Sequence, residues 1–250
     1  MWGTWIGMGL AIAIWDWIAL ALSRRRLGYF TKPAVIVALL IAVLSGDAAL
    51  PQPSPMLSWV AVGLFFSLLG DIFLMLPHER FKWGLIAFVV AHVAYLLAFS
   101  LHTPPFTLWT GAIAIAVGLT AGRFYQRLVA ALREQEQTQL IKPVAIYTVA
   151  ISLMLVSALL LPFRTDLPRG GTLTIAAGAA LFFLSDALLA WDRFVHPVAQ
   201  GRLMVRILYH LGQAAIALGA LITAGATLTQ ASLSPYMCYN FVTISLTIIL

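Results

Sequence analysis

Two carboxylates, Asp71 and Asp186, stand inside runs apolar enough to cross a bilayer. The first lies in Leu-Phe-Phe-Ser-Leu-Leu-Gly-Asp, from Leu64 to Asp71, and the second in Leu-Phe-Phe-Leu-Ser-Asp, from Leu181 to Asp186. A charge in hydrocarbon is costly, so an intramembrane acid points to a partner or a site. Either one alone is as readily a hydrogen-bonded structural residue. Two in matching contexts point to one shared site. Paired carboxylates in a low-dielectric pocket suit acid–base work, because desolvation and mutual repulsion keep one protonated while the other stays ionised. Around them are further polar groups in apolar surroundings: Asp16, His92 with Tyr95 three residues on, and Tyr209-His210 with Gln213. Spacing of i, i+3 puts Tyr95 and Gln213 on the faces of their histidines. Each of these also has a plain reading as a core histidine or as interhelical hydrogen bonding.

The elements that must carry these residues follow from composition. Of 250 residues, 62% are hydrophobic and 10% charged, and the mean hydropathy is +0.95. A water-soluble domain of this length needs more charge, so the class is an all-α polytopic membrane protein. One cysteine, Cys238, excludes a disulfide framework and a cysteine-based zinc site. The net charge of +6 lies between hydrophobic runs, which excludes nucleic-acid binding in favour of topology signals. No cleavable signal peptide is evident, since the first run has no basic leader.

Apolar runs of about 17 to 25 residues mark transmembrane helices. Eight are expected: 2–22, 33–50, 56–76, 82–101, 106–121, 143–162, 172–190 and 203–225. They form one domain, 1–225, followed by an unassigned tail, 226–250, with an interfacial placement as one option. Pro77 closes the third run, Thr103-Pro104-Pro105 links four to five, and the region from Gly122 to Lys142 carries helix five on into water. Thirteen of the fifteen Lys and Arg residues, Arg25 and Arg26 among them, fall at one set of ends; only Arg164 and Arg169 fall at the other. By the positive-inside rule both termini are extracytoplasmic, in a plasma or inner membrane, and the acids lie in the cytoplasmic leaflet. At 1.5 Å of rise per residue Asp71 sits roughly 8 Å from its helix end and Asp186 about 6 Å, with His92 roughly 15 Å deep and His210 about 10 Å.

An internal repeat is visible in this layout. Lys32-Pro33 opens helix two and Lys142-Pro143 opens helix six; an Asp follows one helix later, and a histidine one helix after that. The eight helices therefore read as two parallel four-helix repeats.

Gly70-Asp71 with Leu74-Met75-Leu76, then Phe81, Gly84, Phe88, Ala91-His92 and Tyr95, resembles the first signature of the YhhN-like membrane proteins, the lysoplasmalogenases. Leu184-Ser185-Asp186-Ala187-Leu188-Leu189-Ala190 with Arg193-Phe194, then Tyr209-His210-Leu211-Gly212-Gln213, resembles their second. The likeness covers roughly residues 30 to 222 and leaves the tail outside; His210 departs from it, an aromatic residue being more usual there. The resemblance implies a membrane hydrolase that cleaves the vinyl-ether bond of a lysoplasmalogen, releasing fatty aldehyde and glycerophospho-choline or -ethanolamine. Its partners would be a lysophospholipid and the bilayer; no cofactor or metal is expected, and oligomeric state is open.

Vinyl ethers hydrolyse by proton addition to carbon, giving an oxocarbenium ion that water captures. On this reading Asp71 and Asp186 are the catalytic pair, in an order that the sequence leaves open. Lys32 and Lys142, at helix N-termini, meet the phosphate; His92 and Tyr95 position water or a glycerol hydroxyl, and Asp16 tunes the acidic layer. Tyr209, His210 and Gln213 are supporting residues. The rival readings are a small transporter or proton-coupled carrier, a metal-dependent hydrolase, which lacks any His-x-x-x-His spacing, and a purely structural protein.

Overall fold

The computed structural model describes residues 1–24, 27–76, 80–101 and 107–247, with side chains as far as residue 226. Arg25, Arg26, Pro77 and Thr103-Pro104-Pro105, used above as topology or punctuation, lie outside the described residues. Eight α-helices follow in order: α1 (Trp2–Ala21), α2 (Gly28–Asp47), α3 (Pro55–Met75), α4 (Phe81–Ser100), α5 (Leu108–Glu134), α6 (Ile141–Leu160), α7 (Arg169–Phe194) and α8 (Gly201–Thr247). Short 3₁₀ turns at Thr138–Leu140 and Leu161–Phe163 flank α6.

Local chemistry sets several ends. Thr107 and Thr110 make a reciprocal capping box at the start of α5. Ser23 and Glu136 take left-handed φ values of 59° and 56°. The amides after them reach back five residues, Arg24 N to Ala19 O at 2.8 Å and Gln137 N to Leu132 O at 2.9 Å. Both are Schellman endings, which absorb the last free carbonyls of α1 and α5.

Of the two Lys-Pro pairs only the second opens its helix as expected. Pro33 lies inside α2, five residues after Gly28, where its ring leaves the Tyr29 carbonyl without an intrahelical amide. Pro143 is the third residue of α6, where its missing N–H is one of the orphans of a first turn. The 3₁₀ turn before it starts the helix earlier. The last helix also runs on, from the expected end near 225 to Thr247.

Seven helices are long and apolar enough to cross a membrane: α1 to α4, the segment Thr138–Phe163 around α6, α7, and Gly201–Ala226 of α8. The eighth expected span, on α5, is not among them. Its apolar stretch is interrupted by Arg123, Gln126 and Arg127, and the helix continues as a polar arm to Glu134. Among the described residues the protein is thus an all-helical integral membrane protein.

The seven spans pack as a closed ring in the order α1, α2, α3, α4, α6, α7, α8, with α8 drawn inward to touch α2 and α3 as well. The α5 helix lies outside this ring against α6 and α7, tied by a hydrogen bond from Gln135 Nε2 to Phe194 O at 2.7 Å. The core, with Leu39, Leu57, Leu64, Tyr95, Phe182 and Ile216 fully buried, fills the ring's centre. Helix association in lipid depends on close backbone approach, and α7–α8 shows it most sharply. A Cβ at Gly178 would lie 2.7 Å from Ile216 N and 2.8 Å from Gly212 O, and one at Gly219 would lie 2.7 Å from Gly171 O. These glycines recur every seven residues on both helices, the period of a left-handed seam.

Since the obstructing atoms are backbone, no rotamer change relieves the clash. Gly178→Leu and Gly212→Leu are therefore expected to lower the thermal midpoint in detergent by the equivalent of roughly 1–3 kcal/mol or more. Gly118→Leu, at a position where a Cβ meets nothing within 4 Å, leaves it unchanged. Scanning fluorimetry on the three variants measures the difference.

Candidate functional site

Of the thirteen basic residues predicted to share one side, the eleven described mark one end of the bundle, where α1 finishes and α2, α6 and α8 begin. At this end the helices enclose a cavity of about 410 Å³. All eight helices contribute to its wall, and Asp16, Lys32, Asp71, Tyr147, Asp186 and Tyr209 are among its lining residues. The two aspartates singled out by context therefore face a common space, with Asp16 beside them.

Asp71 is fully buried and its Oδ1 lies 2.6 Å from Lys32 Nζ. The pair joins α2 to α3, and the Lys32 ammonium sits 5.1 Å above the Tyr209 ring of α8. The second Asp71 oxygen and the Tyr209 hydroxyl, near each other, have no hydrogen-bond partner of good geometry. A carboxylate oxygen and a hydroxyl on a cavity wall, neither held in a bond of good geometry, leave room for water or a ligand.

Asp186 has different neighbours. Tyr147, on α6, donates its hydroxyl proton to Asp186 Oδ2. The same hydroxyl is 3.1 Å from His92 Nε2, which is itself 3.4 Å from Asp186 Oδ2. With the tyrosine proton committed to the carboxylate, the hydroxyl oxygen accepts from His92 Nε2–H. The order is histidine to tyrosine to aspartate. His92 Nδ1 is then a buried acceptor with no partner among the described residues. The imidazole is set by ring contacts, 4.9 Å to Phe182 and 5.2 Å, edge-on, to Tyr147.

Asp16 is neutralised from α8. Arg206 Nη1 reaches its two oxygens at 3.0 and 3.1 Å, and Thr31 Oγ1 donates to it as well. Close by, Trp17 Nε1 donates to His210 Nδ1 at 3.1 Å, so the imidazole proton sits on Nε2. His210 does not line the cavity. Tyr95 and Gln213 are also behind the wall: the Tyr95 hydroxyl donates to Gln213 Oε1 at 2.6 Å, and Gln213 Nε2 donates to Ser67 Oγ at 3.0 Å. This buried chain ties α3, α4 and α8 together.

The structure thus brings Asp16, Lys32, Asp71, Asp186 and Tyr209 to one wall and holds His92 one residue behind it. His210, Tyr95 and Gln213 pack deeper. Lys142 is exposed and absent from the lining, and Lys32 is engaged with Asp71. Tyr147, Arg206 and Thr31 were missed in the sequence reading. A tyrosine within the otherwise aliphatic start of α6 was the available signal for the first; nothing local marked the other two. No group of three or more His, Cys, Asp or Glu suited to a metal ion is found among the described residues.

The sequence is similar to that of known proteins. A lysoplasmalogenase, TMEM86B of Rattus norvegicus, is 32% identical over 174 residues, covering 69% of this chain and 66% of its own length. TMEM86B of Sus scrofa, also named lysoplasmalogenase, is 36% identical over 155 residues, or 62% of this chain and 60% of the relative. A lysoplasmalogenase of Mycobacterium tuberculosis is 31% identical over 191 residues, 74% of this chain and 67% of its own. The match thus spans just under two thirds of the length of the first two relatives. No solved structure matches. The YhhN family pattern runs over residues 27–220, from the turn before α2 to deep within α8 and through every residue around the cavity except Asp16, Leu20 and Arg24, and the chain belongs to that family.

Proposed function

We propose that this protein is a lysoplasmalogenase of the membrane interior, hydrolysing the vinyl-ether bond of a lysophospholipid to a fatty aldehyde and a glycerophospho-alcohol. The observation that carries the reading is that Asp71 and Asp186, on different helices, line one cavity; relatives named lysoplasmalogenase supply the substrate class.

Their unequal surroundings support a division of labour. Asp186, held through Oδ2 by Tyr147, is the proton donor: its proton goes to the vinyl carbon distal to oxygen, and the double-bond electrons form the new C–H bond. The resulting oxocarbenium ion is stabilised by the carboxylates on the wall, as in glycosidases. Water adds to the cationic carbon and returns its proton to Asp186. The hemiacetal then breaks its C–O bond to the glycerol, its hydroxyl proton passing to the departing oxygen. Asp71, fixed by Lys32, is the standing anion that orients the water. His92 and Tyr147 hold Asp186 in place, and Tyr209 faces the reacting atoms from α8. Asp16, bound to Arg206, tunes the acidic layer.

The arrangement is consistent with two parallel four-helix repeats, since Tyr95 and Gln213, at equivalent offsets in the two halves, bond to each other. In that frame the basic end faces the cytoplasm and both termini the opposite side, with the cavity open to the inner leaflet. A carrier for a lipid-like or small anionic substrate is the alternative; it would move substrate across sealed vesicles unaltered.

The test is a lipid panel presented to purified protein and scored for fatty aldehyde. Aldehyde release from alkenyl lysolipids is expected, with Asp186→Asn and Asp71→Asn each slower by about 10²–10⁴-fold. Equal rates for wild type and both variants overturn the proposal. Tyr147→Phe removes the hydrogen bond that holds the Asp186 carboxyl group, worth about 0.5–1.5 kcal/mol, and should lower kcat roughly two- to tenfold with KM little changed. Lys32→Met strands a buried charge and is expected to destabilise by about 3–5 kcal/mol. Lys32→Met combined with Asp71→Leu should recover most of that loss in thermal unfolding.

A further inference from the structure

The charged residues of the cavity wall do not all find partners. Five cations line it, Arg24, Lys32, Arg193, Arg202 and Arg206, against four carboxylates, Asp16, Asp71, Asp186 and Asp192. Lys32 belongs to Asp71 and Arg206 to Asp16. Arg193 lies over the Phe81 ring at 4.2 Å. Asp192 is turned to the α7–α8 link, where its Oδ1 accepts from Val198 N at 2.7 Å. Arg24 and Arg202 remain: both are exposed, and neither has a carboxylate or hydrogen-bond partner for its guanidinium among the described residues.

Their position is set by backbone. Arg24 follows the left-handed Ser23, and its amide is held by Ala19 O at 2.8 Å, so the residue leaves α1 in a fixed direction. Arg202 is one turn before Arg206 on α8, about 6 Å nearer the helix start. The Asp16–Arg206 bridge clamps α1 to α8, and the two free arginines sit on the outer side of that clamp. From the acids outward the wall thus runs from a compensated acidic layer to two uncompensated guanidinium groups. Guanidinium is the side chain best matched to the oxygens of a phosphate.

Resting on the lysoplasmalogenase reading, we propose that Arg24 and Arg202 are the phosphate-binding residues for the lysophospholipid headgroup. Lys142 and Lys32 do not serve it, the one lying off the cavity and the other occupied by Asp71. A glycerol unit separates the phosphate from the scissile vinyl ether, as the clamp separates the arginines from the aspartates.

The test compares wild type with Arg24→Gln, Arg202→Gln and the double variant on two substrates, an alkenyl lysophosphatidylcholine and the alkenylglycerol without phosphate. The double variant should raise KM for the phospholipid at least tenfold with kcat within twofold, and leave KM for the alkenylglycerol unchanged. An equal rise on both substrates, or no rise on either, overturns the assignment. Lys142→Gln should leave both KM values unchanged. A binding arm stands apart from turnover: the saturated alkyl lysophosphatidylcholine should raise the thermal midpoint of wild type and not of the double variant, while the alkylglycerol acts equally on both. Should wild type release no aldehyde from any lipid, the enzymatic reading fails and this arm alone decides the phosphate site; equal stabilisation of wild type and double variant there overturns it. Glycerophosphocholine, which has no chain, separates a headgroup requirement from a bare phosphate site: competition by inorganic phosphate alone, with none by glycerophosphocholine, overturns the headgroup assignment.

Discussion

Lys32 and Asp71 form an ion pair buried among seven apolar helices, and most of the architecture is arranged to tolerate it. An isolated carboxylate at that depth would be prohibitive. Its cation comes from the start of α2, 2.6 Å away, which fixes the rotation of α2 against α3. The ammonium also lies against the Tyr209 ring, bringing α8 into the same arrangement. The Asp16–Arg206 bridge repeats the device between α1 and α8. Two buried pairs thus set three helix contacts at the end where the wall must be polar, while small residues and apolar packing hold the rest.

The third acid is handled differently, and the contrast bears on chemistry. Asp186 receives a tyrosine hydroxyl and a nearby imidazole, with no Lys or Arg among its ion-pair partners in the described residues. One carboxylate bound to a cation and another held by hydrogen bonds are two environments in a single cavity. Sites that need an acid and an anion together are built in this way.

The parts of this design that the sequence made legible are those with one-dimensional signatures. Helix number and approximate ends followed from hydropathy, and the shared context of Asp71 and Asp186 announced a relation between them. What escaped depended on the third dimension. The Lys-Pro pairs read as helix starts because proline is welcome in a first turn, yet α2 begins at Gly28, where the missing side chain leaves space for Arg206 (a Cβ there would be 2.7 Å from its Nη1). Lys142 looked equivalent to Lys32 by its neighbours in sequence, but the rotation of α6 turns Tyr147, rather than Lys142, toward the acid. The span predicted on α5 falls on a helix whose second half is polar and lies along α6 and α7. None of these outcomes has a local spacing that marks it.

The glycine seam of α7 and α8 carries a mechanical consequence. Where four positions admit nothing larger than hydrogen and the two backbones touch, neither helix can slide or roll on the other without collision. The pair therefore behaves as a single stiff rod bearing Asp186 at one end. Any deformation that widens the cavity must be borne by the remaining helices, with the aspartate as a fixed point around which they move.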